Sequence, residues 1–287
     1  MRIAQRLLAA DRRIVFLLIA FAIIVPLYVP FNIPSSGVSE PVRGVFDKID
    51  SMPAGSSMLL SMDFDPTSKP ELLPMAVAIL KHAFARDIKV VGMTLWLTGT
   101  GMAENAFVSG AEEMHKERYV DYVFLGWQVQ PYSVIINMGQ DLHGIWPKDY
   151  YGKTMAEIPM METLRSLKDF DYVVCVAAGD PGLGAWYMYG AEKHKFVLGG
   201  GCTGVIAPGM YPFLQAKQIN GLIAGMKGAA EYEELLEKKM KGGRGAACAG
   251  MDSQSAAHFL IIALVVVGNI LYFVSRGAGK SAPTQAS

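Results

Sequence analysis

Two apolar runs bracket this 287-residue chain and limit what it can fold into more than anything between them. The first is IVFLLIAFAIIVPLYVP (14–30) and the second AAHFLIIALVVVGNILYFV (256–274). Each approaches the roughly 20 residues that cross a hydrocarbon core, so a membrane helix is expected at either end. They account for the excess in a hydrophobic fraction of 52%. The residues between them are enough for one domain with a substantial core. Arg2, Arg6, Arg12 and Arg13 precede or flank the first run, as in a secretory leader. The run is long, however, and VPFNIPSSG follows it in place of an A-x-A-like cleavage site. An uncleaved signal anchor is therefore expected, kinked or ended by Pro26 and Pro30.

Orientation follows from flanking charge. Arg276 and Lys280 follow the second run, and the positive-inside rule then puts both termini in the cytoplasm and the central domain outside. Lys238, Lys239, Lys241 and Arg244 lie on the other side, in a long connecting segment where that rule weakens. The expected division is a basic cytoplasmic terminus (1–13), a first span (14–30) and a central domain (31–241). A Gly-rich flexible tether (242–255), a second span (256–274) and a cytoplasmic tail (275–287) follow. Asn269 could hydrogen-bond a neighbouring helix, so the bilayer, other membrane proteins or a second copy are the expected partners.

The middle of the chain alternates short apolar runs with helical patterns, the signature of parallel βα units. SSMLLSMD (56–63), IKVVGMTLWL (88–97), VDYVFLGW (120–127), DYVVCVAAG (171–179) and KFVLGG (195–200) read as strands. Residues 69–87, 98–118, 160–170, 181–194 and a long stretch from Tyr211 to Lys241 read as helices, and SVIINM is open between strand and helix. The expected fold is an α/β, Rossmann-like three-layer domain with a mostly parallel sheet of about five strands. The three cysteines (Cys175, Cys202, Cys248) show no C-x-x-C spacing and leave a Cys202–Cys248 bridge open.

Ligands of open α/β sheets bind outside the carboxyl ends of the strands. Here those ends read DFDPTS, TGTGMAEN, AAGDPGLGAW and GGGCTG. A glycine-lined rim allows close backbone approach and free N–H groups for an anion. Its candidate contacts are Asp63, Asp65, Thr98, Gly99, Gly101, Gly179, Asp180, Gly200, Cys202 and Thr203. Trp96, Trp127 and Trp186 would form aromatic walls.

Strand-Asp63-Phe64-Asp65-Pro66-Thr67 has the D-x-D-x-T pattern and resembles the opening motif of haloacid-dehalogenase-like phosphohydrolases. That resemblance implies Asp63 as nucleophile, Asp65 as general acid/base and carboxylate-held magnesium, with Thr94 as the second motif and Asp180 in the fourth. DPGLGAW supplies no second downstream carboxylate, no lysine is placed, and a helix follows at once where that family inserts a flap. The alternative role of both acids is capping, with Asp65 or Thr67 serving the helix that begins near Lys69.

The remaining motifs do not complete a site. GGGCTG (199–204) satisfies G-x-G-x-x-G but follows the last strand rather than the first, and GKT (152–154) lacks the leading glycine of a P-loop. Glu112-x-x-His115 has no second copy, and His82, His115, His143, His194 and His258 never reach ligand spacing. There is no G-x-S-x-G elbow, and with a net charge of zero and no basic stripe, nucleic acid is not an expected partner. The chain reads as a non-catalytic binding or scaffold subunit of a membrane assembly, with a small anionic ligand at the rim and no resident cofactor or metal. The alternative is a membrane-anchored magnesium phosphohydrolase using Asp63, Asp65 and Asp180.

Overall fold

The computed structural model describes residues 11–29, 31, 37–240 and 245–279, the last five by their backbone alone. Arg2, Arg6, Pro30, Lys241, Arg244, Lys280 and the tail from 280 onward lie outside the described residues. Residues 34–248 form one unit, and 1–33 with 249–287 another.

The first unit is built on six parallel strands: β1 Ser57–Asp63, β2 Lys89–Thr94, β3 Tyr122–Trp127, β4 Tyr172–Ala177, β5 Leu198–Cys202 and β6 Leu222–Ala224. Their spatial order is β3-β2-β1-β4-β5-β6. This is the doubly wound order, with its reversal point between β1 and β4. Every residue of β1 and of β4 is buried. That explains why both runs are apolar throughout instead of alternating, as expected for strands covered on two faces.

The sheet has one strand more than the five expected. β6 interrupts what reads in sequence as one helix from Tyr211 to Lys241, leaving helices at Ala207–Gln215 and Gly225–Met240. Three residues are too few to show a period of two, but Leu222 and Ile223 are fully buried and Gly225 turns the chain at φ +61. Residues 160–170 are also not an α-helix. They make two 3-10 turns, Pro159–Met161 and Leu167–Asp169, the second closed by a Ser166–Asp169 capping box. SVIINM is helical, within Pro131–Met138. A further helix, Glu40–Ser51, buries Val42, Val45, Phe46 and Ile49, the three- and four-residue spacing of an amphipathic face. Asn220 fastens it to the sheet: its amide donates to the Gly44 carbonyl at 2.8 Å while its oxygen accepts from Tyr172 at 2.7 Å.

In order, the helices are α1 Arg12–Tyr28, α2 Glu40–Ser51, α3 Lys69–Ala85, α4 Thr100–Glu113, α5 Pro131–Met138, α6 Leu142–Ile145, α7 (183–194), α8 Ala207–Gln215, α9 Gly225–Met240 and α10 Ala246–Gly279. The middle of α7, Trp186–Ala191, is a π turn.

From Ala246 onward the expected flexible tether is helix. Ala246 and Ala247 favour it, and the Glu233 carboxylate of α9 accepts from the backbone N–H of Ala247 (3.1 Å) and Cys248 (2.9 Å). Removing that acceptor by Glu233→Ala is expected to cost about 1–2 kcal/mol. Amide exchange at Ala247 and Cys248 should then speed about tenfold or more, and unchanged exchange would exclude the capping role.

Among the described residues one helix, not two, is long and apolar enough to cross a membrane: Ala246–Val274, with mean hydropathy 2.4 and none of its most apolar window buried. α1 has 17 residues and holds Pro26 in its last turn. At 1.5 Å per residue it reaches about 26 Å, short of a hydrocarbon core of about 30 Å.

Candidate functional site

β1 carries Asp63 to its last position, in the middle of the sheet, and the side chain is completely buried. Its Oδ1 accepts from the Leu95 N–H at 2.7 Å, just past the end of β2. Its Oδ2 accepts from Trp186 Nε1 of α7 at 3.1 Å and from the Cys175 thiol of β4 at 3.4 Å. The Ser61 hydroxyl, on the same face two residues earlier, bonds both oxygens at 2.7 and 2.8 Å. Burial pushes the pKa up to about 6, against the lowering effect of these donors. A nucleophile needs a lone pair facing substrate, and every lone-pair direction here is met by a donor from the core. Asp63 is a fastener joining three strands and a helix.

The other acids of the phosphohydrolase pattern are engaged separately. Asp65 bonds Thr67 (N–H at 3.1 Å, hydroxyl at 2.7 Å) and the Ser68 N–H at 3.3 Å, closing the turn into α3; the Thr67 hydroxyl is the main cause of its lowered pKa. Exposed Asp180 accepts from Tyr132 at 2.5 Å. Thr94 is fully buried and closes a local ring with the backbone of Trp96. Among the described residues no three His, Cys, Asp or Glu side chains are grouped so as to hold a metal ion.

The glycines of the rim are mostly packing positions. A Cβ on Gly99 would overlap the Phe64 carbonyl oxygen, and one on Gly200 the Cys175 carbonyl oxygen. Gly199 and Gly201, the neighbours of Gly200 in β5, abut the Tyr172 hydroxyl and the Met75 sulfur in the same way. Gly101 and Thr98 are exposed at the start of α4, and Gly179 faces the Trp96 ring at ordinary contact distance. Cys202 and Thr203 are buried at the end of β5, and all three cysteines are free thiols. At the reversal point between β1 and β4 the tryptophans occupy the crevice. Trp186 enters from α7 to reach Asp63, and Trp96 reaches across from the β2 loop to donate to the Pro181 carbonyl at 3.0 Å. GKT (152–154) is the far arm of a small hairpin, and Glu112 and His115 lie exposed at the end of α4.

Space for a ligand lies further along the same edge, beside the outermost strand. A cavity of about 460 Å³ opens where β3 ends, walled by Leu125, Trp127, Trp146 and Tyr150, with Asp149 and Lys148 also lining it. The wall opposite α4 is the hairpin 148–154. Its Tyr150 N–H donates to the Phe124 carbonyl at 3.0 Å and so covers the free edge of β3. Asp149 shapes the turn, with Oδ1 accepting from the N–H groups of Tyr151 (3.0 Å) and Lys153 (2.7 Å), and Gly152 taking φ +89. Sequence reasoning placed Trp127 at the rim but missed Trp146, Asp149 and Tyr150. The signal was present as a turn-forming Asp and Gly three residues apart, flanked by aromatic residues. Comparison with family models, characterised proteins and solved structures finds no match to this chain.

Proposed function

We propose that this chain is a membrane-anchored binding subunit whose α/β domain takes a small ligand at the carboxyl edge of its sheet and acts as a scaffold within a membrane protein assembly. What favours binding over catalysis is the division along that edge. The acid that ends β1 is sealed and surrounded by donors, whereas the cavity beside β3 has aromatic walls and a single carboxylate, the make-up of a recognition pocket. Exposed Lys148 at its lining suits an anionic group on the ligand. Affinity purification of the solubilised full chain should recover partner membrane proteins and a bound metabolite. A bare monomer without either would overturn the reading.

In the same proposal α1 is a second span, its shortfall met by local bilayer thinning and by Arg12 and Arg13 reaching the interface. Both termini then lie in the cytoplasm and the domain outside. The native thiols are buried, so a cysteine at exposed Ser51 gives a clean reporter. Ser51→Cys should react with a membrane-impermeant maleimide on intact cells. Labelling only after lysis would place the domain on the other side.

A further inference from the structure

From Leu72 to Leu80, helix α3 carries no polar residue. A helix that is apolar all round is one covered on every side. The core buries Leu72, Met75, Ala76, Ile79 and Leu80, but the outward stripe of Leu73, Pro74 and Val77 is only half-buried. Two cavities open along that stripe. One of about 320 Å³ runs between α3 and α9, past Leu236 and Met240, to Ala246. The other, about 370 Å³, runs between α3 and α4, past Met102 and Ala106, to Lys69. Leu73 and Val77 line both, so no more than those side chains divides them. Lys69 and Lys81 mark the far ends of this groove, about 18 Å apart along the helix at 1.5 Å per residue.

We propose that this groove takes up one acyl chain of a bilayer phospholipid, laid along Leu73 and Val77. Ala246 carries the argument, because it lines the groove and is also the first residue of the 29-residue segment long and apolar enough to cross a membrane. That segment measures about 44 Å, the thickness of a bilayer with its headgroup layers. With α10 in a membrane, Ala246 stands at the headgroup surface and the groove opens beside a supply of hydrocarbon. One leaflet of that hydrocarbon is about 15 Å deep, so a single chain matches the groove in length. Moving the chain from leaflet to groove exchanges one apolar setting for another, and the gain is the water removed from Leu73, Pro74 and Val77. Met102, Met114 and Met240 along the walls are unbranched and adapt to a chain of variable shape. At the Ala246 end the rim bears Lys81, paired with Glu113 at 2.7 Å, and Glu237, charges of both signs that suit a zwitterionic headgroup. This site is separate from the β3 cavity. It depends on α10 lying in a membrane and not on a ligand at the sheet edge.

The test reconstitutes the full chain in phosphatidylcholine vesicles that contain some phosphatidylcholine with a diazirine at the end of one acyl chain. Cross-links formed on illumination are mapped by mass spectrometry. They should fall on α3 and α4, at Val77 and Met102, as well as on the exposed face of α10 at Phe259. Leu73→Trp and Asn105→Trp place a large ring in the groove, and each should cut the α3 and α4 cross-links about tenfold while those at Phe259 stay constant. Thermal unfolding checks that each variant is folded, and should one fail, the other decides. Cross-links confined to α10 overturn the proposal, as do α3 cross-links that a folded variant leaves unchanged. A free diazirine fatty acid that labels the groove in detergent, where the vesicle lipid does not, overturns the bilayer source. A dimer with an unlabelled groove makes a second copy the occupant. If α10 itself takes no label, the membrane setting and the lipid site fall together.

Discussion

Replacing Asp63 by alanine should cost about 4 kcal/mol of stability, lowering Tm by roughly 8–16 °C. The variant strands the Leu95 N–H and the Trp186 indole N–H inside the core, each an orphan donor costing about 1–3 kcal/mol, and it leaves a cavity as well. Asp63→Asn keeps the shape but turns an NH₂ group toward other donors, so it should fall between wild type and alanine. Were Asp63 a nucleophile in an open cleft, either change would leave Tm nearly intact. Thermal unfolding of the two variants separates these outcomes.

The same substitution has a consequence for pH. Asp63, raised from 3.8 to about 6 by burial, contributes stability that is present below pH 3.8 and lost as pH rises through 6. His82 opposes it. It is buried between Tyr232, 2.8 Å from its Nδ1, and Asp50, and burial lowers its pKa from 6.5 to about 4. Its contribution is present above pH 6.5 and lost as pH falls through 4. Between pH 4 and 6 the two slopes nearly cancel, and wild-type stability should be flat there. Asp63→Asn leaves only the histidine slope, so its stability should drop by roughly 3 kcal/mol on acidification from pH 6.5 to 4. An equally flat variant would show that His82 is not buried in its neutral form.

The sheet was legible in the sequence where burial on both faces writes a continuous apolar run, as in β1 and β4. β6 was not, because three residues between Gly221 and Gly225 carry too little pattern, and the helices on either side merge across it. The two spans expected at the ends are half met: α10 has the length and hydropathy of a span, while α1 stops at Tyr28 after Pro26. The setting of Asp63 could not be read from DFDPTS, since its donors Leu95, Cys175 and Trp186 lie 32, 112 and 123 residues away. Sequence placed the acid at a strand end, but only the tertiary fold shows that the strand end is roofed. The β3 cavity was hidden for a similar reason. Its far wall comes from a hairpin whose pairing with β3 depends on one edge hydrogen bond, which no periodicity announces.

Gly200→Ala should cost about 3 kcal/mol or more, a fall in Tm of roughly 6–12 °C, while Gly204→Ala should stay within about 0.5 kcal/mol of wild type. Both glycines belong to GGGCTG, where the G-x-G-x-x-G register makes Gly204 a required glycine and Gly200 only a spacer, so a phosphate-cradling loop would suffer more from the change at Gly204. The structure gives them different tasks. Gly200 pairs with Cys175 across β4 and β5, and a methyl group on it would overlap the Cys175 carbonyl and press on Leu183 Cδ1 at 3.0 Å. The first obstacle is main chain of a fully buried strand and cannot swing aside, so the ladder itself must open. Gly204 is exposed, and a Cβ there would meet only the Glu71 carboxylate at 3.7 Å, an ordinary contact. Thermal unfolding of the two variants compares these tasks directly. Equal losses would mean that the loop after β5 is held as tightly as the strand. A loss confined to Gly200 makes the glycine run a device for packing β5 against β4 and α7, and it leaves the aromatic cavity at the other end of the sheet as the place for the ligand proposed above.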